Sequence, residues 1–189
     1  MQRFHQLLFS ISLVTLSWLA MMAVHEVGHV LGALATGGSI DRVTLHPLRI
    51  SRTDVNPNPH PGVVVWLGPI AGCFLPMAAI FMTPKRAIMP RAILRFFAGF
   101  CLIANGAYIA IGSMFRVGDC GEMLRTGTPP WVMLAFGAVT VPLGLYMWHT
   151  LGSLTRFLKD PSLASPRAAY FLFAVLIVVV FLELAIFSP

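Results

Sequence analysis

The chain has 189 residues, of which 57% are hydrophobic and 11% charged, and its mean hydropathy is +0.81. Soluble domains carry about 25% charged residues, so this composition excludes a large soluble domain and is typical of a polytopic membrane protein. The net charge of +6 comes from Lys and Arg scattered over short loops, which form no basic stripe of the kind that binds nucleic acid. Three widely spaced cysteines indicate neither a disulfide framework nor a thiolate zinc site.

Five segments are long and apolar enough to cross about 30 Å of hydrocarbon as helices. They cover roughly residues 7–35, 62–83, 92–114, 131–151 and 168–187. The first begins like a secretory signal, but its apolar run is too long for one, so we interpret it as a membrane helix. We therefore predict an all-α polytopic membrane protein with a single membrane domain over residues 1–189. Residues 1–128 would form a core of three helices, and residues 129–189 two additional helices.

The segment between the first two spans has a different pattern. Gly37-Gly38 ends the first helix, and residues 40–45 and 48–50, on either side of His46-Pro47, predict one or two short β-strands. The proline-rich residues 56–61 that follow can only be extended or turning backbone. We expect a short strand pair or a re-entrant segment between helices 1 and 2.

The first span contains the motif H-E-x-x-H, as His25-Glu26-Val27-Gly28-His29. Residues four apart lie one above the other on a helix, so both imidazoles can bind one divalent metal, for which we expect zinc, while Glu26 acts as a general base. Ionisable groups are costly in hydrocarbon unless they are paired, bound to metal or turned towards water. The motif therefore predicts a functional site, and the alternative is a buried cluster of hydrogen-bonded polar groups.

A catalytic zinc ion usually has three protein ligands, so the two histidines leave one to find. Acidic residues are scarce, and Asp119 follows the third span directly. Its neighbours Gly118 and Gly121 allow the backbone to turn the carboxylate back towards the membrane. We predict Asp119 as the third ligand, the alternative being a helix cap at the membrane surface.

Other polar or small residues within the spans have simpler interpretations. Asn105, in the third span, belongs either to the site or to a contact that joins two helices. Glu183 lies near the end of the last span, so we expect its carboxylate to reach the interface. Four glycines recur at a spacing of four residues and predict close helix packing: Gly28, Gly32, Gly68 and Gly72.

Together these motifs resemble the site-2 protease family of intramembrane zinc metalloproteases. In that family a membrane helix carries H-E-x-x-H, a short β-structured or re-entrant segment follows, and an aspartate in an L-D-G-like motif two helices later completes the zinc site. The first motif is present here, Gly68-Pro69-Ile70-Ala71-Gly72 resembles the segment that opens the next helix, and Gly118-Asp119-Cys120-Gly121 resembles the aspartate motif. The likeness covers about residues 15–125. The chain departs from the family because Gly118 stands where leucine is usual, the following glycine is one position late, and the N-x-x-P-x-x-x-L-D-G spacing is absent.

The resemblance implies a zinc-dependent endopeptidase that hydrolyses peptide bonds within or near transmembrane segments of membrane proteins. Zinc would be held by His25, His29 and Asp119, with Glu26 as the base, while Asn105 would steady the substrate strand or the tetrahedral intermediate. Its partners would be a membrane-protein substrate and the lipid bilayer, with no nucleic acid, and we expect a multi-pass protein of the cell or inner membrane. A metal-ion transporter and a non-catalytic relative that binds membrane proteins are the alternatives.

The orientation and the oligomeric state stay open at this point. The basic residues of the loops divide eight to five in favour of a cytoplasmic N-terminus. The family resemblance implies the opposite orientation, with the first core helix entering from outside.

Overall fold

A computed structural model of the chain describes residues 2–151 and 165–187. Within these residues, five helices are long and apolar enough to cross a membrane, and a sixth is short. In chain order the elements are α1 (Gln2–Ala35), β1 (Ile40–Thr44), β2 (Arg52–Val55), α2 (Pro61–Met82), α3 (Ile88–Phe115), the short α4 (Gly118–Arg125), α5 (Pro130–His149) and α6 (Pro166–Phe187). The predicted all-α polytopic fold with a strand pair between helices 1 and 2 is confirmed.

The spans begin and end within a few residues of their predicted limits. The largest differences are at the start of α1, five residues earlier than expected, and of α3, which begins at Ile88. Pro90 lies in the first turn of α3, where a missing N–H is tolerated, so the proline does not delay the helix. With 34 residues α1 is about 51 Å long, more than the hydrocarbon core, so its polar first turns project beyond it.

The strand prediction was right for Ile40–Thr44 and wrong for residues 48–50. The second strand is β2, which pairs antiparallel with β1 so that Val43 lies opposite Thr53. Residues 48–50 belong to the connecting turn, where the N–H of Leu48 donates to Nδ1 of His46 at 3.1 Å. The side chains of Leu48 and Ile50 are 88% and 82% exposed. Their hydrophobicity, which suggested a strand, therefore does not come from packing in a core.

The α1–α2 contact depends on the glycines that were expected to allow close packing. A Cβ on Gly28 would collide with the carbonyl oxygen of Leu67, and one on Gly32 would lie 3.0 Å from Cα of Val64. Backbones at this separation leave no room for side chains between them. The glycine spacing thus fixes the H-E-x-x-H face of α1 directly against the start of α2.

The two helices after residue 129 flank the three that carry the motifs. α5 packs along α3, and α6 packs along α1. The indole N–H of Trp148 in α5 donates to the carbonyl of Phe96 in α3 at 2.9 Å, and the two rings stack. Since successive spans alternate in direction, the hairpin, α4 and the C-terminal end of α6 lie at one end of the bundle.

Candidate metal centre

His25 and His29 lie one turn apart near the C-terminal end of α1. Their ring centroids are 4.8 Å apart, and the residues are 7% and 5% exposed. Both side chains are directed into the space between α1, α2 and α3, since each ring bonds to a residue of a neighbouring helix. The face of α1 predicted to bind a metal is therefore buried inside the bundle.

Asp119 reaches this face because the chain reverses sharply after α3. Arg116 ends α3 in the left-handed conformation with φ 55°, and Gly118 follows with φ 58°. The first turn of α4 then points back towards α1, and Oδ2 of Asp119 lies 2.8 Å from Nε2 of His25 and 3.5 Å from Nε2 of His29. The structure thus brings together all three residues that were predicted as ligands.

The other nitrogen of each imidazole fixes which atom faces Asp119. Nδ1 of His29 donates to the backbone carbonyl of Val64 at 2.9 Å. Nδ1 of His25 lies 2.7 Å from Oδ1 of Asn105, and Nδ2 of that amide donates to the carbonyl of Cys101. Both contacts therefore place an oxygen acceptor opposite Nδ1, so each neutral ring carries its proton on Nδ1 and presents the lone pair of Nε2.

This donor set fits a cation. Two Nε2 lone pairs and a carboxylate oxygen are all acceptors, and three acceptors in contact repel one another unless a proton or a metal ion lies between them. A tetrahedral ion bound at about 2.0–2.1 Å separates its ligand atoms by about 3.3 Å. The nitrogen–oxygen distance to His29 is 3.5 Å, and that to His25 is shorter, at 2.8 Å. The ligand atoms all lie within 4.8 Å of one another. Neutral imidazole nitrogen and carboxylate oxygen are ligands that zinc accepts.

The electrostatics of Asp119 suit a ligand as well. Burial alone would raise the pKa of this carboxyl, but the contacts with the imidazoles of His25 and His29, which favour the carboxylate when a ring is protonated, outweigh burial and hold the pKa well below its usual range. The carboxylate is therefore ionised at neutral pH. Cys120, the next residue, is buried and its thiol pKa is raised by burial to about 11, so it stays a neutral thiol beside the site.

Glu26 is buried, at 3% exposed, and is held by the hairpin. Oγ1 of Thr53 in β2 donates to Oε2 of Glu26 at 2.7 Å. Within the described residues, Oε1 has no hydrogen-bond partner. No sequence motif pointed to Thr53, because its contact with Glu26 depends on a strand register that places Thr53 opposite Val43 and towards α1.

Asn105 contacts His25 and is 1% exposed. Its amide lies in a recess of α2, where a Cβ on Gly72 would be 2.7 Å from Nδ2. The oxygen of the amide is used by His25 and its nitrogen by Cys101, so the contact that the structure shows is with a candidate ligand. The role at the substrate that the resemblance implied for Asn105 stays a prediction.

Tyr108 is a site residue that the sequence analysis missed. Its hydroxyl oxygen accepts the backbone N–H of Asp119 at 3.2 Å, and its ring lies edge-on to His25 at 6.2 Å. The hydroxyl proton is not used in that bond. Tyr108 lies three residues after Asn105, so the shared face of α3 was a signal that could have revealed it.

Gly68 makes the room that the imidazoles occupy. A Cβ on this residue would collide with Cε1 of His29 and would lie 2.5 Å from its Nε2 and 2.9 Å from Nε2 of His25. The glycine thus has a second role besides helix packing. Any side chain larger than the hydrogen of glycine at this position would block the Nε2 atoms of His25 and His29.

The remaining polar residues of the spans do not join the site. Glu183 was expected to reach the interface, but its carboxyl is buried inside the bundle at 6% exposed, because α6 packs that face against α1. It belongs to no metal-binding group among the described residues. Cys73 and Cys101 are buried free thiols of the core.

Comparisons with other proteins give the chain no relative. No family model, no curated protein and no solved structure matches it significantly. The geometry of the site and the sequence motifs are therefore what bears on its function.

Proposed function

We propose that the chain is a zinc-dependent intramembrane endopeptidase of the site-2 protease kind, which hydrolyses peptide bonds within or near transmembrane segments of membrane proteins. The observation that supports this best is the convergence of His25, His29 and Asp119, whose ligand atoms lie within 4.8 Å of one another, with Glu26 next to His25. These three residues would hold the zinc ion. When bound, zinc supplies a Lewis acid that polarises the peptide carbonyl and makes water nucleophilic at neutral pH.

Glu26 is the general base in this proposal. Its carboxylate accepts a proton from the attacking water and later delivers it to the leaving amine. Thr53 supports this role, because its hydroxyl holds Oε2 while Oε1 stays available to the water. Burial of Glu26 favours the proton transfer, since bulk water does not compete for the carboxylate.

Asn105 and Tyr108 have separate supporting roles. Asn105 orients His25 by accepting a hydrogen bond from Nδ1, which keeps Nε2 directed towards Asp119, where it would hold a metal ion. Tyr108 positions Asp119 through the backbone N–H, and its hydroxyl proton can still be donated to a developing oxyanion. Tyr108 is 38% exposed as a residue, whereas Asn105 is 1% exposed.

The depth of the site supports a membrane-protein substrate. His25 lies within the membrane span α1, towards the end of the bundle that carries the hairpin, and is 7% exposed, so its ring is enclosed by the helices. A peptide bond reaches it from within the bilayer only after its helix has unwound, because helical carbonyls are already hydrogen-bonded. The hairpin that contacts Glu26 offers strand edges to which an extended segment can add. We propose that the protein belongs to the cell or inner membrane.

The test compares cleavage of a single-span reporter by the purified wild type and by Glu26→Gln, with zinc measured in both. We expect Glu26→Gln to retain zinc and to lose cleavage about 10²–10⁴-fold, the contribution of general acid–base catalysis. The matched control is Glu122→Gln in α4, a glutamate that pairs with Arg125 away from the ligands and should cleave normally.

Three outcomes would contradict the proposal. Equal cleavage by wild type and Glu26→Gln would show that Glu26 is not the general base. Uptake of zinc into vesicles without cleavage of the reporter favours a transporter, which needs the metal ligands for uptake but not Glu26. Binding of membrane proteins with no dependence on zinc favours a non-catalytic relative.

A further inference from the structure

The hairpin presents two different faces. Alternate residues of a strand point to opposite sides, so Thr53, which reaches Glu26, and its neighbour Arg52 lie on opposite faces of β2. Arg42 and Thr44 of β1 share the face of Arg52. Asp54, opposite Arg42, is the one acidic residue of the strands on that face, so the face that turns away from the metal centre carries two arginines and one aspartate.

This outer face forms one wall of a cleft of about 220 Å³. Three arginines and a histidine contribute to its lining, and no carboxylate does; the lining includes Arg42, His46, Arg49 and Arg52. Arg52 pairs with Asp54 at 3.1 Å, whereas Arg42 and Arg49 form no ion pair within the described residues. Two guanidinium groups at the cleft are therefore available to an anion.

The position of the cleft relates it to the membrane surface. Phe187, the last residue of the membrane span α6, also lines it, so the cleft opens where a span ends. At the tip of the hairpin, Leu48 and Ile50 on either side of Arg49 are 88% and 82% exposed. Apolar side chains alternating with basic ones are typical of segments that lie in the headgroup region of an anionic leaflet.

We propose that this cleft binds the phosphate of an anionic phospholipid headgroup. Arg42 and Arg49 supply the charge-assisted hydrogen bonds, for which the planar guanidinium is well suited, and Leu48 and Ile50 enter the acyl region beside the bound lipid. A lipid is favoured over an acidic peptide because the cationic groups lie between the end of a span and two exposed apolar side chains. The site is independent of the proposed proteolysis.

The experiment uses the full chain, purified in an uncharged detergent. Short-chain phosphatidylglycerol is titrated against the wild type by calorimetry, with short-chain phosphatidylcholine, inorganic phosphate and an acidic peptide as separate titrants. We expect phosphatidylglycerol to bind the wild type and to lose about ten- to thirtyfold in affinity in Arg42→Gln/Arg49→Gln, the loss expected for two basic residues at an anionic surface. The matched control is Lys85→Gln/Arg86→Gln, two exposed basic residues in the loop at the opposite end of α2, which should bind as the wild type does.

Each other outcome overturns the assignment. Equal binding of phosphatidylcholine would show that the negative charge of the lipid is not recognised. An equal loss of affinity in the control variant would show that binding does not depend on the arginines of this cleft. Inorganic phosphate that binds as tightly as the lipid indicates a free-phosphate site, and binding of the acidic peptide alone indicates a protein ligand. If the double variant does not keep the unfolding transition of the wild type, Arg49→Gln alone, at the exposed tip, is titrated instead and should lose about three- to tenfold.

Discussion

Replacing Gly68 by alanine should empty the metal centre while leaving the helices intact. The added Cβ would be 2.5 Å from Nε2 of His29 and 2.9 Å from Nε2 of His25, the two atoms that would bind zinc. Ordinary contacts of carbon are about 3.5 Å, so His29 would have to retreat by about 1 Å. Metal–ligand distances tolerate about 0.2 Å. A displacement of this size cannot be absorbed without loss of a ligand.

The expected loss follows from that geometry. Changes to groups that merely support metal ligands cost about 10–100-fold in metal affinity, and a methyl group placed among the ligands should cost at least the upper end of that range. We expect the zinc affinity of Gly68→Ala to fall at least about a hundredfold, or about 2.7 kcal/mol. The helix itself should gain, since alanine is favoured over glycine by about 1 kcal/mol in a helix interior.

The assay is zinc titration against a competing chelator, together with thermal unfolding. Gly62→Ala is the matched control in the same helix, because its Cβ would meet Thr126 at an ordinary 3.5 Å. It should bind zinc as the wild type does. Full zinc affinity in Gly68→Ala, or an equal loss in Gly62→Ala, would refute the placement of the ligands against α2.

Two further variants test the groups that support the site. Thr53→Val should lower the rate of reporter cleavage about tenfold with zinc content unchanged, because one oxygen of Glu26 loses its hydrogen-bond donor. Thr53→Ser keeps the hydroxyl and should cleave at the wild-type rate. A wild-type rate in Thr53→Val would show that the hairpin does not support Glu26. Asn105→Leu should weaken zinc binding about 10–100-fold, because Nδ1 of His25 loses its acceptor, as measured by chelator competition. Asn105→Asp, which keeps an acceptor, should bind more tightly than Asn105→Leu, and no difference between them would contradict the positioning role.

The sequence was sufficient for most of the architecture. Hydropathy located the five spans, because a run of about 20 apolar residues is the length that a helix needs to cross the hydrocarbon core. It misplaced the second strand, since the apolar residues Leu48 and Ile50 lie in an exposed turn while β2 is built largely of polar residues. It also missed α4: Gly118 and Gly121 suggested a turn, whereas only Gly118 adopts positive φ and a helix follows directly.

The site could be predicted where spacing along one helix, or the scarcity of one residue type, carried the information. His25, Glu26 and His29 form a local pattern, and Asp119 was found because acidic residues near the spans are rare. Thr53 reaches the site through strand register, which no local pattern encodes, whereas Tyr108 shares a face of α3 with Asn105 and meets Asp119 only because the chain reverses after α3. Long-range contacts of this kind follow from how the elements pack.

X-ray absorption at the zinc edge, on the zinc-loaded wild type and on Asp119→Ala, tests the centre most directly. The wild type should show two imidazole nitrogens and carboxylate oxygen at about 2.0–2.1 Å with no sulfur, and Asp119→Ala should lose zinc or one oxygen from its shell. A sulfur ligand, a single imidazole, or identical spectra for the two proteins would contradict a centre built from His25, His29 and Asp119.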